Sequence, residues 1–150
     1  MSPFVGSESL DFMLAQVCKL HRKRADALLE TLGLYQGQPP VLFALWEQDG
    51  LTHRELAAWL HVQAATMTKM IQRMEKNGFV ERRADPEDQR VSRVYLTEAG
   101  RTIRERMDQI WQILEAETFA DFTLEERVLL RRFFLQIRGN LLHAAGNPRE

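Results

Sequence analysis

The sequence is poor in cysteine, in long apolar runs and in excess charge of either sign. Its single cysteine, Cys18, cannot form an intrachain disulfide, which is typical of a reducing compartment, and we therefore expect a cytoplasmic protein. No apolar run approaches the roughly 18 residues of a membrane span, and the amino end has no signal-peptide pattern, so no membrane partner is expected. A net charge of −1, from 20 basic and 21 acidic residues, argues against a non-specific coat for polyanions.

Motifs of enzymes and of metal sites are also missing from the sequence. The four histidines, His21, His53, His61 and His143, do not show metal-ligand spacing with cysteine or carboxylates. There is no nucleophile elbow, no phosphate-binding loop and no pair of catalytic acids. We therefore expect a protein without catalytic activity, cofactor or metal, whose function depends on a binding surface.

Residues 51–96 predict a helix, a turn and a second helix, followed by a hairpin. The first helix starts at a capping box, in which Thr52 caps the backbone N–H of Glu55 and Glu55 reaches back to the backbone of Thr52. Leu51 is placed to pack on Leu56 as a hydrophobic staple. The second helix has apolar residues at i, i+3, i+4 and i+7, which form one inward face: Met67, Met70, Ile71 and Met74.

The opposite face of the second helix carries small and polar side chains. At 100° per residue its outward positions are Ala65, Thr68, Lys69, Gln72 and Lys76, with Thr66 and Arg73 beside them. Small residues allow close approach to the major groove of DNA, Thr and Gln bond base edges, and Lys and Arg meet guanine or phosphate. A solvated face without a ligand explains the same pattern, so both interpretations stay open. A protein-interaction module would instead need apolar residues on this face, and they are absent.

The segment after the second helix predicts a β-hairpin. Residues 79–83 and 91–96 are its strands, and the turn-rich residues between them include proline and several acids. A hairpin directly after a recognition helix is a wing, and its flanks carry Arg82, Arg83, Arg90 and Arg93. A cation near the tip suits the narrow minor groove, where the potential is most negative. Either Asp85 or Asp88 is placed to hold Arg90 in one rotamer.

The residues from Glu55 to Gly100 follow the pattern ELAxxLxVxxxTxTKxIxRMExxGFVERRxDPEDxRVxxVxLTExG. This pattern resembles that of the multiple-antibiotic-resistance regulator (MarR) family of winged helix-turn-helix transcription factors, and the likeness extends over essentially the whole chain. The resemblance implies a mainly α fold with a small β-hairpin wing, dimeric through its N- and C-terminal helices. It also implies a homodimer on pseudo-palindromic double-stranded DNA operators, usually a repressor relieved by a small ligand or by oxidation.

The DNA contacts of the family transfer onto matching positions of this chain. For the major groove they imply Gln63, Ala64, Ala65, Thr66, Thr68, Lys69 and Gln72, with Arg73 beside them. For the minor groove they imply Arg90, with Asp88 as the carboxylate that orients it. The chain departs from the family in two places. Glu87 stands where the wing often has an arginine, and the start of the recognition helix is not serine-rich.

Long apolar helices flank the winged segment. One is predicted over about residues 8–32, and the last begins at a second capping box, Thr123 with Glu126. Apolar residues cover more than one stripe of the first helix and nearly all faces of the last, and a second copy of the chain is the simplest cover for them. The predicted organisation is dimerisation helices in residues 1–35 and 99–150 around a DNA-binding domain of residues 36–98, in one intertwined domain.

Two further features concern regulation. Cys18 lies in the apolar stripe of the first helix, where thiolate formation is disfavoured, so an inert buried cysteine is predicted; a redox-sensing regulator acting through Cys18 is the alternative. In the family that the chain resembles, effectors often bind where the first, second and fifth helices meet the DNA-reading head. The candidates here are Phe12, His21, Arg24, Phe43, Trp46 and Trp111. Aromatic residues with cations suit a small aromatic acid, and the same residues also suit core and interface packing.

Overall fold

The computed structural model describes residues 9–146, which form six helices and three short strands. In chain order these are α1 (Leu10–Glu30), α2 (Gln38–Glu47), β1 (Leu51–Thr52), α3 (His53–Leu60), α4 (Ala64–Lys76), β2 (Val80–Ala84), β3 (Ser92–Leu96), α5 (Glu98–Thr118) and α6 (Leu124–Ala144). The helices and the small antiparallel sheet confirm the predicted winged-helix class. Over these residues, no helix is both long and apolar enough to cross a membrane.

The chain divides into two compact units. The first unit ends at Leu114 and the second begins at Glu115, so α5 contributes to both. The first unit contains the winged helix together with α1 and α2. The predicted division at residues 35 and 98 stays a prediction.

The ends of α1 are set by local signals. Ser9 Oγ accepts a hydrogen bond from the Phe12 backbone N–H at 3.1 Å, which caps the first turn. After the helix, Gly33 adopts a φ of 76°, a left-handed conformation that favours glycine. The observed helix ends two residues before the predicted end at residue 32, and the predicted start at residue 8 lies outside the described residues.

Only the carboxyl-terminal part of α1 is buried by the chain itself, at Ala25, Leu28 and Leu29. The amino-terminal part exposes large apolar side chains, namely Leu10, Phe12, Met13, Val17 and Leu20. Cys18 is exposed as well. The predicted burial of Cys18 is therefore wrong for the single chain, because helical spacing groups it with apolar residues that the chain does not cover.

The core of the first unit is built from α2, α3, α4, α5 and the sheet. Its fully buried side chains include Val41, Leu42, Leu45, Leu56, Met67, Ile71, Met74, Val94 and Met107. Burying one such side chain contributes about 1.5–3 kcal/mol. Three of these residues belong to α4, so the core holds this helix by one face and leaves the other face outward.

The sheet has the strand order β1-β3-β2, with antiparallel neighbours. β2 and β3 form the predicted hairpin, with Val80 opposite Leu96 at its base. β1 is an addition that was not predicted, since two residues are too few for an alternating pattern to be recognised. Leu51 pairs with Val94 in β3, so the base of the hairpin is joined to the start of α3.

A close approach of α5 to the hairpin explains the glycine in its first turn. A Cβ atom on Gly100 would overlap the carbonyl oxygen of Phe79. Thr97 N donates a hydrogen bond to the same carbonyl at 3.1 Å. On the other side, Trp46 Nε1 donates to the Gly100 carbonyl oxygen at 2.9 Å. The first turn of α5 therefore joins α2 to the base of the wing.

In the second unit, α6 begins at the predicted capping box. Thr123 Oγ1 accepts from Glu126 N at 3.2 Å, and Glu126 Oε2 accepts from Thr123 N at 2.9 Å. The chain itself buries no residue of α6. Its exposed apolar side chains are Leu124, Val128, Leu129, Phe133, Phe134, Leu135, Ile137 and Leu141. The predicted burial of α6 on several sides is thus not supplied by the single chain.

Candidate nucleic-acid interface

α3 and α4 form the helix-turn-helix. The predicted capping box of α3 is present, because Thr52 Oγ1 accepts from Glu55 N at 3.1 Å and Glu55 Oε2 accepts from Thr52 N at 2.8 Å. α3 ends at His61, whose φ of 51° is left-handed. The turn leads to Gln63, which precedes α4 and does not use its side chain as a cap. The exposed amide of Gln63 is therefore available to a partner in front of the helix.

The two faces of α4 differ as predicted. Met67, Ile71 and Met74 have no exposed surface, and Met70 is half-buried beside Gly37. On the other side Gln63, Ala64, Ala65, Thr66, Lys69, Gln72, Arg73 and Lys76 are exposed and Thr68 is half-buried. The division into an inward and an outward face is confirmed. The contacts of these residues with DNA stay a prediction.

An ion pair joins α4 to the wing. Arg82 donates from Nε and Nη2 to the two carboxylate oxygens of Glu75, at 3.0 Å each, and the Arg82 backbone N–H donates to Glu75 Oε2 at 3.2 Å. The side-chain hydrogen bonds lower the pKa of Glu75 and raise the pKa of Arg82. Because the contact has two points, it fixes the orientation of β2 relative to α4.

The loop of the wing is closed by Asp85, a buried carboxylate. Its Oδ1 accepts from the backbone N–H groups of Glu87 at 2.7 Å and Asp88 at 3.3 Å, and its Oδ2 accepts from Arg93 Nε. These hydrogen bonds, first that of Arg93 and then that of Glu87, lower the pKa of Asp85. Arg93 Nη1 also donates to the Gly50 carbonyl at 2.9 Å, which joins the wing loop to the turn before β1. No local pattern reveals this role of Arg93, because Gly50 lies 43 residues away.

Arg90 lies in the same loop and points into solvent. Its side chain is 91% exposed. Its backbone N–H and its Nε both donate to Asp88 Oδ1, at 3.1 Å each. Of the two carboxylates predicted to orient Arg90, Asp88 does so and Asp85 does not. The other wing arginines pair with carboxylates elsewhere in the wing and α4: Arg82 with Glu75, Arg83 with Glu81 and Arg93 with Asp85.

An aromatic group lies between α2 and α5, formed by Phe43, Trp46 and Trp111. The ring centroids of Phe43 and Trp46 are 5.4 Å apart in an edge-on arrangement, and those of Phe43 and Trp111 are 6.5 Å apart and stacked. The guanidinium of Arg104 lies 5.4 Å from the Trp46 ring centroid, a contact that the sequence did not reveal. The remaining ligand candidates, Phe12, His21 and Arg24, are exposed residues of α1, and their part in ligand binding stays a prediction.

Comparisons with known proteins agree with this geometry. The MarR family model matches residues 34–92. An uncharacterized HTH-type transcriptional regulator of Bacillus subtilis (strain 168), YwoH, is 37% identical over 124 residues, which are 81% of this chain and 90% of the relative. The crystal structure of reduced MarR from E. coli is similar with a TM-score of 0.74 and 27% identity, and the match covers 86% of this chain and 96% of that one.

A third similar protein is BpsR of Bordetella bronchiseptica, whose DNA binding is regulated by 6-hydroxynicotinic acid. Its structure matches with a TM-score of 0.69 and 24% identity, over 91% of this chain and 97% of that one, and so supports the fold. The match to YwoH, by contrast, has 37% identity and extends over 90% of that relative. The chain therefore belongs to the MarR family of DNA-binding transcriptional regulators, and it is not an enzyme.

Proposed function

We propose that this chain is a cytoplasmic, homodimeric repressor that binds a pseudo-palindromic operator in double-stranded DNA and is released by a small aromatic acid. The outward face of α4 carries the proposal. Short polar side chains and cations stand on that face, while the opposite face is locked in the core by three fully buried residues. Such a helix is both rigid and free to enter a major groove.

The composition of the α4 face suits the reading of base edges. Its start is made of small or short side chains that permit close approach, namely Ala64, Ala65 and Thr66, and the exposed amide of Gln63 lies directly in front of them. Thr68 and Gln72 come next, and their hydroxyl and amide groups suit hydrogen bonds with bases. Lys69 on the outward face and Arg73 beside it are exposed, and their cationic groups suit contacts with guanine or phosphate.

The wing supplies a cation for the adjacent minor groove. Arg90 is almost fully exposed, yet Asp88 holds its Nε. A side chain that is already held in one rotamer loses less conformational entropy when it binds. The narrow minor groove attracts such an arginine through its negative potential.

Dimer formation is supported by the apolar surfaces that the chain leaves uncovered. α1 exposes five large apolar residues and α6 exposes eight, with Leu10 at 85% and Leu124 at 73%. Apolar surfaces of this extent mark a protein interface. A two-fold dimer presents two copies of α4 about 34 Å apart, one turn of DNA, and this spacing requires a palindrome.

The aromatic group supports an aromatic acid as the effector. Phe43 is partly exposed at 40%, so its ring is accessible to a planar ligand, and Arg104 lies close enough to receive a carboxylate. The regulation of BpsR by 6-hydroxynicotinic acid provides a first compound to test. Phe12, His21 and Arg24 of α1 are the further candidates for this site.

The central experiment is selection of bound fragments from a random DNA pool, followed by anisotropy titration of the selected site. We expect a palindromic consensus sequence. The affinity should fall steeply with salt, because each neutralised phosphate contributes about −0.9 to the slope of log binding constant against log salt concentration. Gln72→Ala should mainly relax the base preference, with Gln109→Ala, an exposed residue of α5, as the matched control. An equal loss of affinity for every DNA sequence would contradict a base-reading role for Gln72.

The wing has a separate test. Arg90→Ala should weaken binding to sites with A·T-rich flanks more than to sites with G·C-rich flanks, because the minor groove is narrower in the former. Arg106→Ala removes an exposed arginine from α5 and serves as the control. Unchanged binding by Arg90→Ala would exclude the minor-groove contact.

Dimerisation and effector binding are tested on the same protein. Light scattering at micromolar concentration should give twice the chain mass of 17.5 kDa, and a monomer would refute the proposal. 6-Hydroxynicotinic acid should quench tryptophan fluorescence and release the DNA. Trp46→Phe should weaken the quenching, whereas Trp59→Phe, in an exposed position of α3, should retain it. If both variants lost the quenching, or if neither did, the aromatic group would be excluded as the effector site.

A second candidate is redox regulation through Cys18, which its exposure in the single chain favours. Lys19, His21 and Arg22 are its basic neighbours along the helix. Peroxide treatment, mass spectrometry of the thiol and a DNA titration decide this point. Unchanged binding by a fully oxidised protein would remove the candidate.

A further inference from the structure

His53, the first residue of α3, packs against the recognition helix. Its Nδ1 lies 3.4 Å from Thr68 Oγ1. Its Nε2 is buried from solvent and has no hydrogen-bond partner among the described residues. A polar ring atom is rarely buried without a partner, so the position of this imidazole calls for a reason beyond packing.

The environment disfavours the charged form of the imidazole. Burial lowers the pKa of His53 most, the charge of Arg82 lowers it further, and the charge of Glu75 opposes both. Arg82 and Glu75 bind each other at this place, so neither supplies a partner for Nε2. A neutral imidazole has one N–H donor and one acceptor nitrogen.

The hydroxyl of Thr68 decides which nitrogen carries the hydrogen. Thr68 Oγ1 donates to the Ala64 carbonyl at 3.0 Å, which uses its only hydrogen. The contact with His53 is therefore one in which Nδ1–H donates and the hydroxyl oxygen accepts. One lone pair of Oγ1 remains for an outside partner, and that partner must be a donor.

We propose that His53 is a positioning residue: by donating to Oγ1 it holds the Thr68 hydroxyl in the orientation that donates to Ala64, and so keeps Thr68 a pure hydrogen-bond acceptor toward DNA. In the major groove the amino groups of adenine and cytosine are the donors, whereas guanine and thymine present acceptor oxygens at the corresponding edge. Thr68 then selects adenine or cytosine at the base it contacts. The inference rests on the proposed function and adds a residue that does not itself touch the DNA.

The test compares two substitutions of similar polarity. In His53→Asn the side-chain amide N–H stands near the place of Nδ1, whereas in His53→Gln it reaches the place of Nε2. DNA selection and anisotropy titration are carried out on the wild type, on both variants and on Thr68→Val, which identifies the contacted base. We expect adenine or cytosine at the base that Thr68 contacts, both in the wild type and in His53→Asn. His53→Gln should lose about two- to tenfold of this discrimination, the effect of one neutral hydrogen bond.

A double variant separates positioning from general damage. Adding Thr68→Val to His53→Gln should cause no further loss of discrimination, because both substitutions remove the same interaction. The inference would be overturned if the two substitutions reduced base discrimination independently, or if His53→Gln kept full discrimination. Either result would leave the proposed function intact. If the wild type selects no sequence at all, the proposed function fails and the inference fails with it.

A measurement on the wild type alone guards against variants that do not fold. Nitrogen NMR of the histidine rings reports which nitrogen carries the hydrogen. We expect the Nδ1–H form for His53 at neutral pH. An Nε2–H form, or a charged ring, would overturn the inference.

Discussion

Gly100→Ala is the substitution whose effect the structure determines most directly. Gly100 lies in the first turn of α5, where an added Cβ would overlap the Phe79 carbonyl oxygen and also approach Leu96 Cδ2 at 3.1 Å. The carbonyl belongs to the backbone at the base of the wing, so it cannot turn aside as a flexible side chain does. α5 must instead move away from the hairpin.

The cost of this movement follows from three contributions. Alanine is ordinarily favoured over glycine in a helix by about 1 kcal/mol. Overpacking costs about 1–3 kcal/mol. The movement also weakens the Thr97 N–H bond to Phe79 and the Trp46 Nε1–H bond to Gly100, each with a net value of about 1 kcal/mol. The net expectation is a loss of about 2–4 kcal/mol in the free energy of unfolding.

Thermal and urea unfolding at a fixed protein concentration measure this loss, and the melting temperature should fall by roughly 4–16 °C. Gly139→Ala is the matched control, because Gly139 is also helical but an added Cβ there meets no atom of the chain within 4 Å. It should raise the stability by about 0.5–1 kcal/mol. Equal stability of Gly100→Ala and the wild type would refute the reasoning. Destabilisation by Gly139→Ala would instead indicate that a partner chain packs on α6.

Three further outcomes follow from the site. Thr52→Ala removes the cap of α3 and should cost about 1 kcal/mol in urea unfolding; no loss would contradict the capping role. The pKa values of Glu75 and Asp85 are lowered in the folded chain, so the stabilisation from their charged forms is present above about pH 4.5, the higher of the two unfolded pKa values, and is lost as the pH falls through the folded values. Asp85→Asn should make the acid loss of stability smaller, which urea midpoints from pH 3 to 7 will check. Arg93→Ala should weaken DNA binding as Arg90→Ala does, and wild-type affinity would exclude Arg93 as the support of the wing.

Local signals allowed much of the fold to be predicted. Both capping boxes depend on residues three positions apart, and both are present at Thr52 and Thr123. The two faces of α4 follow from helical periodicity alone, since each residue turns by a fixed angle. Strand and turn residues predicted the wing and its four arginines, and the resemblance of residues 55–100 to a known family then singled out Arg90 as the minor-groove arginine.

Features that depend on distant residues were not predicted. The pairing of β1 with β3 and the bond from Arg93 to Gly50 join positions about 40 residues apart, and neither residue type nor spacing reveals them. Cys18 shows a second limit. Periodicity finds an apolar stripe, but it does not distinguish a stripe that the chain buries from one that only a second copy covers. The contribution of Arg104 to the aromatic group was missed because a charged residue on a helix usually faces solvent.

Hydrogen bonds within the winged helix-turn-helix, from β1 to β3, restrict how an effector can act on it. Glu75 and Arg82 join α4 to β2, and Arg93 joins the wing loop to the turn before β1, so α4 and the wing are held as one body. Trp46 belongs to the aromatic group and also binds the Gly100 carbonyl at the base of the wing. We therefore expect an effector that shifts Trp46 to displace the whole winged helix-turn-helix more readily than it deforms α4. In the proposed dimer we therefore expect release of DNA to come from a changed spacing of the two DNA-binding units, and by linkage DNA must weaken effector binding by the same factor.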